Sequence, residues 1–492
     1  MCKKLISFVF CILVSCMVLG QGPGTLYDFP INGKTNIVRY DPSTGFHIAC
    51  INTSSYGIHF ALTDFNNIID VEIASDLRVK DFEIIDNYVF FCGDASGPSG
   101  FIGWFDIDSL FHLGGATHID KTLSALGLKL LDNIEVYHNP LGEICIAGYG
   151  LYDMPLSGWP YFRAFEAVGL PSSGMSYRTL DLIYAGDIVD MAVTDNYVVY
   201  MNHDRNSACY NNNGIGVILQ PFPKYGIFSS PPFQFTYLES ITSTIRYPDG
   251  VHAYVTPDND DPYYAAPPKM VHSTNDNIAV CSYRRDFDFN GWSAVYPVIC
   301  GSGEQRSNTY LALRTYDLSP LSTGNPILMT SASAAPLFPD EGISIDGFEY
   351  DNIMGRYIVL HRHVTATGID EHAITTLDYS MGVPPGIQYS YYQTTYDTKT
   401  YWMPTSMCMA AGSDYTVSGY DQNTSDYIFW HRTNHDMMAN CERQTIQQRI
   451  NLPTSLAKEN PNPYLPTVWK PLMFQLTIPG DLVESDSDAI CR

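Results

Sequence analysis

The sequence predicts an all-β fold, a single ring of short, four-stranded antiparallel sheets. Three observations predict it. Aromatic residues fill 13% of the 492 positions, 35 of them tyrosine, and such a composition favours pleated strands. Long helical periodicity is absent, and even DLVESDSDAI near the C-terminus is too polar and too short to bury an apolar stripe. A strand–turn–strand–loop–strand unit also recurs along the chain.

Charge narrows the function. Only 16% of residues are charged, against a usual share of about 25%. The formal net charge is −25, a field that repels phosphate backbones and anionic headgroups, so nucleic acid and anionic lipid surfaces are poor candidates as partners.

The N-terminus reads as an export signal. Lys3 and Lys4 precede an apolar run from Leu5 to Leu19 that is too short to span a bilayer comfortably, and Gly20, Gln21 and Gly22 follow. Cleavage before Gln21 removes residues 1–20; the other reading takes LVSC as a lipobox and leaves Cys16 lipidated. The apolar MVLG after Cys16 favours ordinary cleavage, and no second run approaches spanning length. The expected chain is exported, to the periplasm, the cell surface or the medium.

TLYDFPI (Thr25 to Ile31) is the expected strand that closes the ring, with LMFQLTI (Leu472 to Ile478) as its rival. The repeat then unfolds in order. NIVRYDPSTGFHIACIN starts at Asn36, and VKDFEIIDNYVFFCGD runs from Val79 to Asp94 before GFIGWFDID (Gly100 to Asp108). LDNIEVYHNPLGEICIAGYG starts at Leu131, and IVDMAVTDNYVVYMNHD starts at Ile188. KMVHSTNDNIAVCSY starts at Lys269, IDGFEYDNIMGRYIVLHRH at Ile345, and TSMCMAAGSDYTVSGYD at Thr405. These are seven units, with Cys50, Cys92, Ala147, Met201, Cys281, His361 and Ser418 at matching places in their second strands. A Pro-rich insertion, Pro221 to Pro268, lengthens one interval.

Repeats of about 40 to 50 residues with four strands each characterise β-propellers. The strand order, closing on an aromatic–Asp pair at Phe105-Asp106 and Tyr316-Asp317, resembles secreted bacterial propellers of the WD-repeat-like superfamily, without the signatures of any one member family. The resemblance implies a single seven-bladed β-propeller of four-stranded antiparallel blades over residues 21–440, with residues 441–492 as a Pro-rich tail packed on it. Tandem β-sandwiches are the alternative.

Cysteines suggest two disulfides. Cys441 and Cys491 bracket the tail, and Cys281 and Cys300 would face each other if Asn290-Gly291 forms a two-residue hairpin turn. The bland reading of Cys50, Cys92 and Cys281 is a buried free thiol in an apolar strand.

Candidate ligand-binding residues follow the second strands: His203, Asp204 and Arg205; Tyr283, Arg284 and Arg285; His361, Arg362 and His363; Tyr420 and Asp421. Arg forks grip carboxylates, His works as an acid or base near neutrality, and Tyr263 and Tyr264 would add an aromatic wall. DFDFNG, with Asp286, Asp288 and Asn290, resembles the start of a calcium loop but lacks the later acidic ligand. No cofactor is otherwise implied. Asp81, Asp190 and Asp346, with Asp132, lie near the same offset from their turns, where they would either cap backbone amides or ring the central channel. No nucleophile or paired-carboxylate motif accompanies them. The sequence therefore supports a binding or scaffold protein offering one face to a glycan or protein at the cell surface. A secreted polysaccharide lyase or hydrolase is the alternative.

Overall fold

A strand covered on one face alternates apolar and polar residues, whereas one covered on both faces does not. YVFFCGDA and ICIAGYGLY, two second strands of the repeat, do not alternate. In the computed structural model each such strand sends successive side chains into two different cores. Val89 and Phe91 pack with Ile48 and Phe60 on one side, while Phe90 and Cys92 pack with Leu131 and Ile146 on the other. Ile146 and Ala147 divide in the same way, as do Val198 and Val199.

The structure describes residues 26–28, 33–53, 57–63, 68–73, 76–97, 99–108, 117–152, 161–170, 174–180, 187–203, 217–224, 243–246, 252–254, 268–288, 305–322, 327–334, 341–364, 370–380, 386–396, 402–410, 415–421, 427–433 and 444–453. Among them, no helix is long and apolar enough to cross a membrane.

The described strands assort into seven sheets. After β1 (Leu26–Asp28), the first sheet holds β2 (Lys34–Tyr40), β3 (His47–Asn52), β4 (Ile58–Thr63) and β5 (Ile68–Ile73). The second holds β6 (Leu77–Ile85), β7 (Tyr88–Ala95), β8 (Ser99–Asp106) and β9 (His118–Asp120). A single helical turn, α1 (Thr122–Ala125), leads to the third: β10 (Leu128–His138), β11 (Ile144–Tyr152), β12 (Tyr161–Leu170) and β13 (Gly174–Leu180). The fourth has β14 (Asp187–Val193), β15 (Tyr197–His203) and β16 (Val217–Pro223). The fifth joins β17 (Ser243–Arg246), β18 (His252–Tyr254), β19 (Lys269–His272), β20 (Asn277–Asp288), β21 (Gln305–Asp317) and β22 (Ile327–Ala334). The sixth has β23 (Glu341–Asp351), β24 (Arg356–Val364), β25 (Asp370–Ser380) and β26 (Gly386–Tyr396). The last consists of β27 (Trp402–Met409), β28 (Tyr415–Asp421) and β29 (Tyr427–Thr433), and β30 (Gln444–Pro453) returns to pair with β26.

First strands pack against one another in sequence: β2 on β6, β6 on β10, β10 on β14, β14 on β19, β19 on β23, β23 on β27, and β27 back on β2. That circle puts the first strands innermost. The N-terminal strand β1 pairs with β29, Tyr27 opposite Trp430, so Thr25–Ile31 contains the closing strand as expected. Leu472–Ile478 lies outside the described residues. The chain is thus an all-β propeller of antiparallel blades.

Six of the innermost strands carry one extra residue at a corresponding place: Asn36, Lys80, Asp132, Val189, Asp346 and Thr405. Such a bulge bends the strand and re-aims the next side chains. It also splits the four matched aspartates. Asp81 and Asp190 directly follow the bulge, whereas Asp132 and Asp346 are the bulge residues themselves.

Two expectations are corrected. Cys281 lies opposite Leu313 rather than Cys300, and β20 ends with Asp288 opposite Gln305, so the strand register is not the one an Asn290-Gly291 hairpin would set; Asn290 and Gly291 themselves lie outside the described residues. Cys281 is a free, buried thiol, as are Cys50, Cys92, Cys145 and Cys408; Cys300, Cys441 and Cys491 lie outside the described residues. The Pro221–Pro268 insertion is not purely a loop. Pro221 to Pro223 finish β16, and β17 runs parallel to the end of β20, Thr244 opposite Asp286.

Candidate functional site

The second strands all end on one face, so His203, the Arg284-Arg285 pair and the His361–His363 stretch belong to one side of the ring. Their circumstances differ. His361 is 4% exposed, and its Nε2 lies 2.8 Å from Thr375 Oγ1, so that ring is spent inside its own sheet. Arg362 is half-buried, opposite His372 in the ladder. His363 pairs with Glu371 along the backbone, Arg284 with Tyr310, and Arg285 with Thr309. Asp204, Arg205, Tyr263, Tyr264 and Asn290 lie outside the described residues. Asp286 and Asp288 sit in extended strand opposite Asn308 and Gln305, a straighter backbone than a calcium loop wraps around its ion.

A second arrangement lies on the axis. Counting from each bulge brings the inner strands into register. The second position after it is always apolar and buried: Val38, Phe82, Ile134, Met191, Phe348 and Met407, with Met270 in the fifth sheet. The positions on either side of it face the other way. The first after the bulge is Ile37, Asp81, Asn133, Asp190, Gly347 or Ser406; the third is Arg39, Glu83, Glu135, Ala192, Glu349 or Cys408. Lys269 and Val271 take these places in the fifth sheet, flanking Met270.

The first level fastens neighbouring sheets. A bulge frees a backbone N–H, and a buried amide needs an acceptor. Asp81 serves two: its Oδ1 accepts from Phe82 N at 2.9 Å, and its Oδ2 accepts from Ile134 N of the next sheet at 3.0 Å. Asp190 accepts from Met270 N of the following sheet at 2.6 Å. Ser406 does the same across the ring closure, its Oγ accepting from Val38 N at 3.1 Å. Where Gly347 stands, a Cβ would lie 3.2 Å from Met407 Cβ, a contact so tight that Met407 would have to give way by a few tenths of an ångström.

The third level concentrates charge. Arg39 is 26% exposed and lies 2.7 Å from Glu83 and 3.3 Å from Asp81. Burial alone would lower its affinity for the proton, but Glu83, Asp81 and Glu349 outweigh that and raise it. Burial pushes the Asp81 carboxyl up to about 7, with Arg39 pulling it down and Glu83 pushing it further up. Glu349 is likewise pushed up to about 7 by burial, against the pull of Arg39. Burial and the Glu83 charge hold Glu135 well above the ordinary carboxyl range, and burial raises Asp190. One guanidinium therefore answers acids from the second, third, fourth and sixth sheets.

Sequence reasoning found Asp81 and Asp190 but missed Arg39, Glu83, Glu135 and Glu349. The signal was present as a charge at one place in four repeats, but its sign changes at Arg39 and only the closed ring brings the four side chains together. Chemically the cluster can exchange protons. Among the described residues, no group of three or more His, Cys, Asp or Glu is placed to hold a metal ion.

No family model matches the chain, and no curated protein matches it in sequence. Solved structures do align. A chain of a mitotic checkpoint complex is 8% identical, with 84% of this chain and 95% of that one covered and a TM-score of 0.43. The WD40 domain of SCAP from fission yeast is 9% identical, covering 88% and 91% at a TM-score of 0.37. The Neurospora crassa Pan2 WD40 domain is 11% identical, covering 69% and 91% at 0.30.

Proposed function

We propose that this chain is an exported, seven-bladed propeller that works by binding, presenting the face where its second strands end to a protein or glycan. One observation carries the reading. On the inner strands Asp81, Asp190 and Ser406 are engaged in fastening sheet to sheet, while the second-strand ends of the described sheets open together on one face. The longest connections between second and third strands, residues 204–216 and 289–304, join that face, and they bracket Arg205 and follow Arg284-Arg285. Cationic residues there would stand out against a chain of −25 and draw an acidic or hydroxyl-rich ligand. Export is supported by Lys3, Lys4 and the apolar run from Leu5 to Leu19.

The test is binding of the chain from residue 21 onward to a panel of acidic and neutral polysaccharides and extracellular proteins, with product analysis alongside. Saturable binding without turnover is expected. Arg205→Ala with Arg284→Ala should weaken it by about 1.5–3 kcal/mol per lost charge-assisted contact, and Arg449→Ala on β30 should leave it unchanged. Product formation, or equal affinity in both variants, contradicts the reading.

A further inference from the structure

We propose that the axis carries a proton-operated latch: mild acidification neutralises the axial carboxyls and tightens the closed ring, and alkaline conditions ionise them and loosen it. This is separate from the binding reading and stands on the inner-strand geometry. Arg39, Glu83, Glu135 and Glu349 hold the same place on four inner strands, and Asp81 and Asp190 hold the level beside it. Every one of these strands packs on inner strands of the sheets beside it, so their charges converge instead of dispersing over the surface.

The groups around Asp81 account for the sign. From β2 comes Arg39, in contact with both Asp81 and Glu83. From β10 comes Glu135, on which Asp81 acts, and, at its bulge, Asp132, which like Asp81 acts on Cys92; from β14 comes Asp190, which also acts on Glu135. From β23 comes Glu349, and Lys269 of β19 attends Asp190. Lys80 on β6 acts on Cys92 of β7. The other titratable neighbours, Cys50, Cys92, Cys408 and Tyr149, are held neutral by burial and add no positive charge. Asp81, Glu83, Glu135, Glu349 and Asp190 together face Arg39 and Lys269, so full ionisation leaves negative charge uncompensated in a confined space.

The folded chain resists ionising Asp81, Glu135, Glu349 and Asp190; the unfolded chain ionises them near pH 4. Between that pH and about 7, where Asp81 and Glu349 titrate, the folded state holds protons the unfolded state has released. Stability must therefore fall as pH rises through this window.

The experiment is thermal unfolding of the full chain at pH 5.5, 7.0 and 8.5 in 0.5 M salt, which screens the exposed charges. Tm should be higher at pH 5.5 than at 8.5 by about 4 °C. Glu135→Gln with Glu349→Gln should remove most of that difference by raising Tm at pH 8.5. Asp76→Asn with Asp108→Asn, both exposed, should keep it. An axial variant that retains the whole difference, or a native chain less stable at pH 5.5, overturns the latch. Should the axial variant not fold, calorimetry of the native chain at pH 6.5 in buffers of different ionisation enthalpy decides the matter: net proton release on unfolding is required, and zero or uptake refutes it.

Discussion

Asp81 concentrates the physics of the inner strands in one carboxylate. It accepts from two backbone amides in different sheets and contacts Arg39, all while only 3% exposed. Without hydrogen bonds such burial would be prohibitive, and with them the group becomes a fastener. Asp81→Ala leaves the Phe82 and Ile134 amides without an acceptor and Arg39 with Glu83. Urea unfolding at pH 7 should show a loss of about 2–4 kcal/mol. Asp81→Asn keeps one acceptor oxygen and should lose about half as much. Native stability in the alanine variant would mean the carboxylate fastens nothing. His361 makes the complementary point: its place after an apolar strand reads as a ligand contact, yet it is buried against Thr375.

At the scale of strands and hairpins, the repeat was legible wherever local chemistry set the geometry. Asp86 adopts a φ of 51° in the two-residue turn between β6 and β7, a conformation that Asp and Asn tolerate better than most residues. The buried rings of Phe105 and Tyr316 likewise anchor third strands whose aspartates, Asp106 and Asp317, accept from the Asp108 and Ser319 amides. What stayed illegible was set at a distance. A bulge is invisible in an apolar–polar pattern until its partner strand is known, so Asp132 and Asp346 seem equivalent to Asp81 and Asp190. Asn290-Gly291 is a strong local hairpin signal, but pairing of β20 with β21 sets the register elsewhere. The axial acids belong to strands far apart in sequence, and only the closed ring brings them together. A glycine beside one bulge tests this level. A Cβ on Gly93 would meet the Arg78 carbonyl at 1.8 Å, so Gly93→Ala must push β6 and β7 apart. We expect a loss of about 3 kcal/mol or more by denaturant unfolding. A neutral effect would show that the two strands do not approach as described.

For the molecule as a whole, closure decides everything. Each sheet buries both faces only because neighbours flank it, and the last sheet is completed by a strand from the opposite end of the chain. The binding face and the axial cluster both presuppose that circle: Ser406 reaches Val38, and Glu349 acts on Arg39, across the junction of the two chain ends. A cross-link at the junction measures it directly. Tyr27 and Trp430 lie opposite each other in the antiparallel pair of β1 and β29, within the reach of a disulfide. The described native thiols are buried and offer little competition. Tyr27→Cys with Trp430→Cys should therefore oxidise to an intramolecular disulfide in the folded protein and raise Tm above that of its reduced form. Free thiols at both positions under oxidising conditions, in protein that is otherwise folded, would contradict the closed ring.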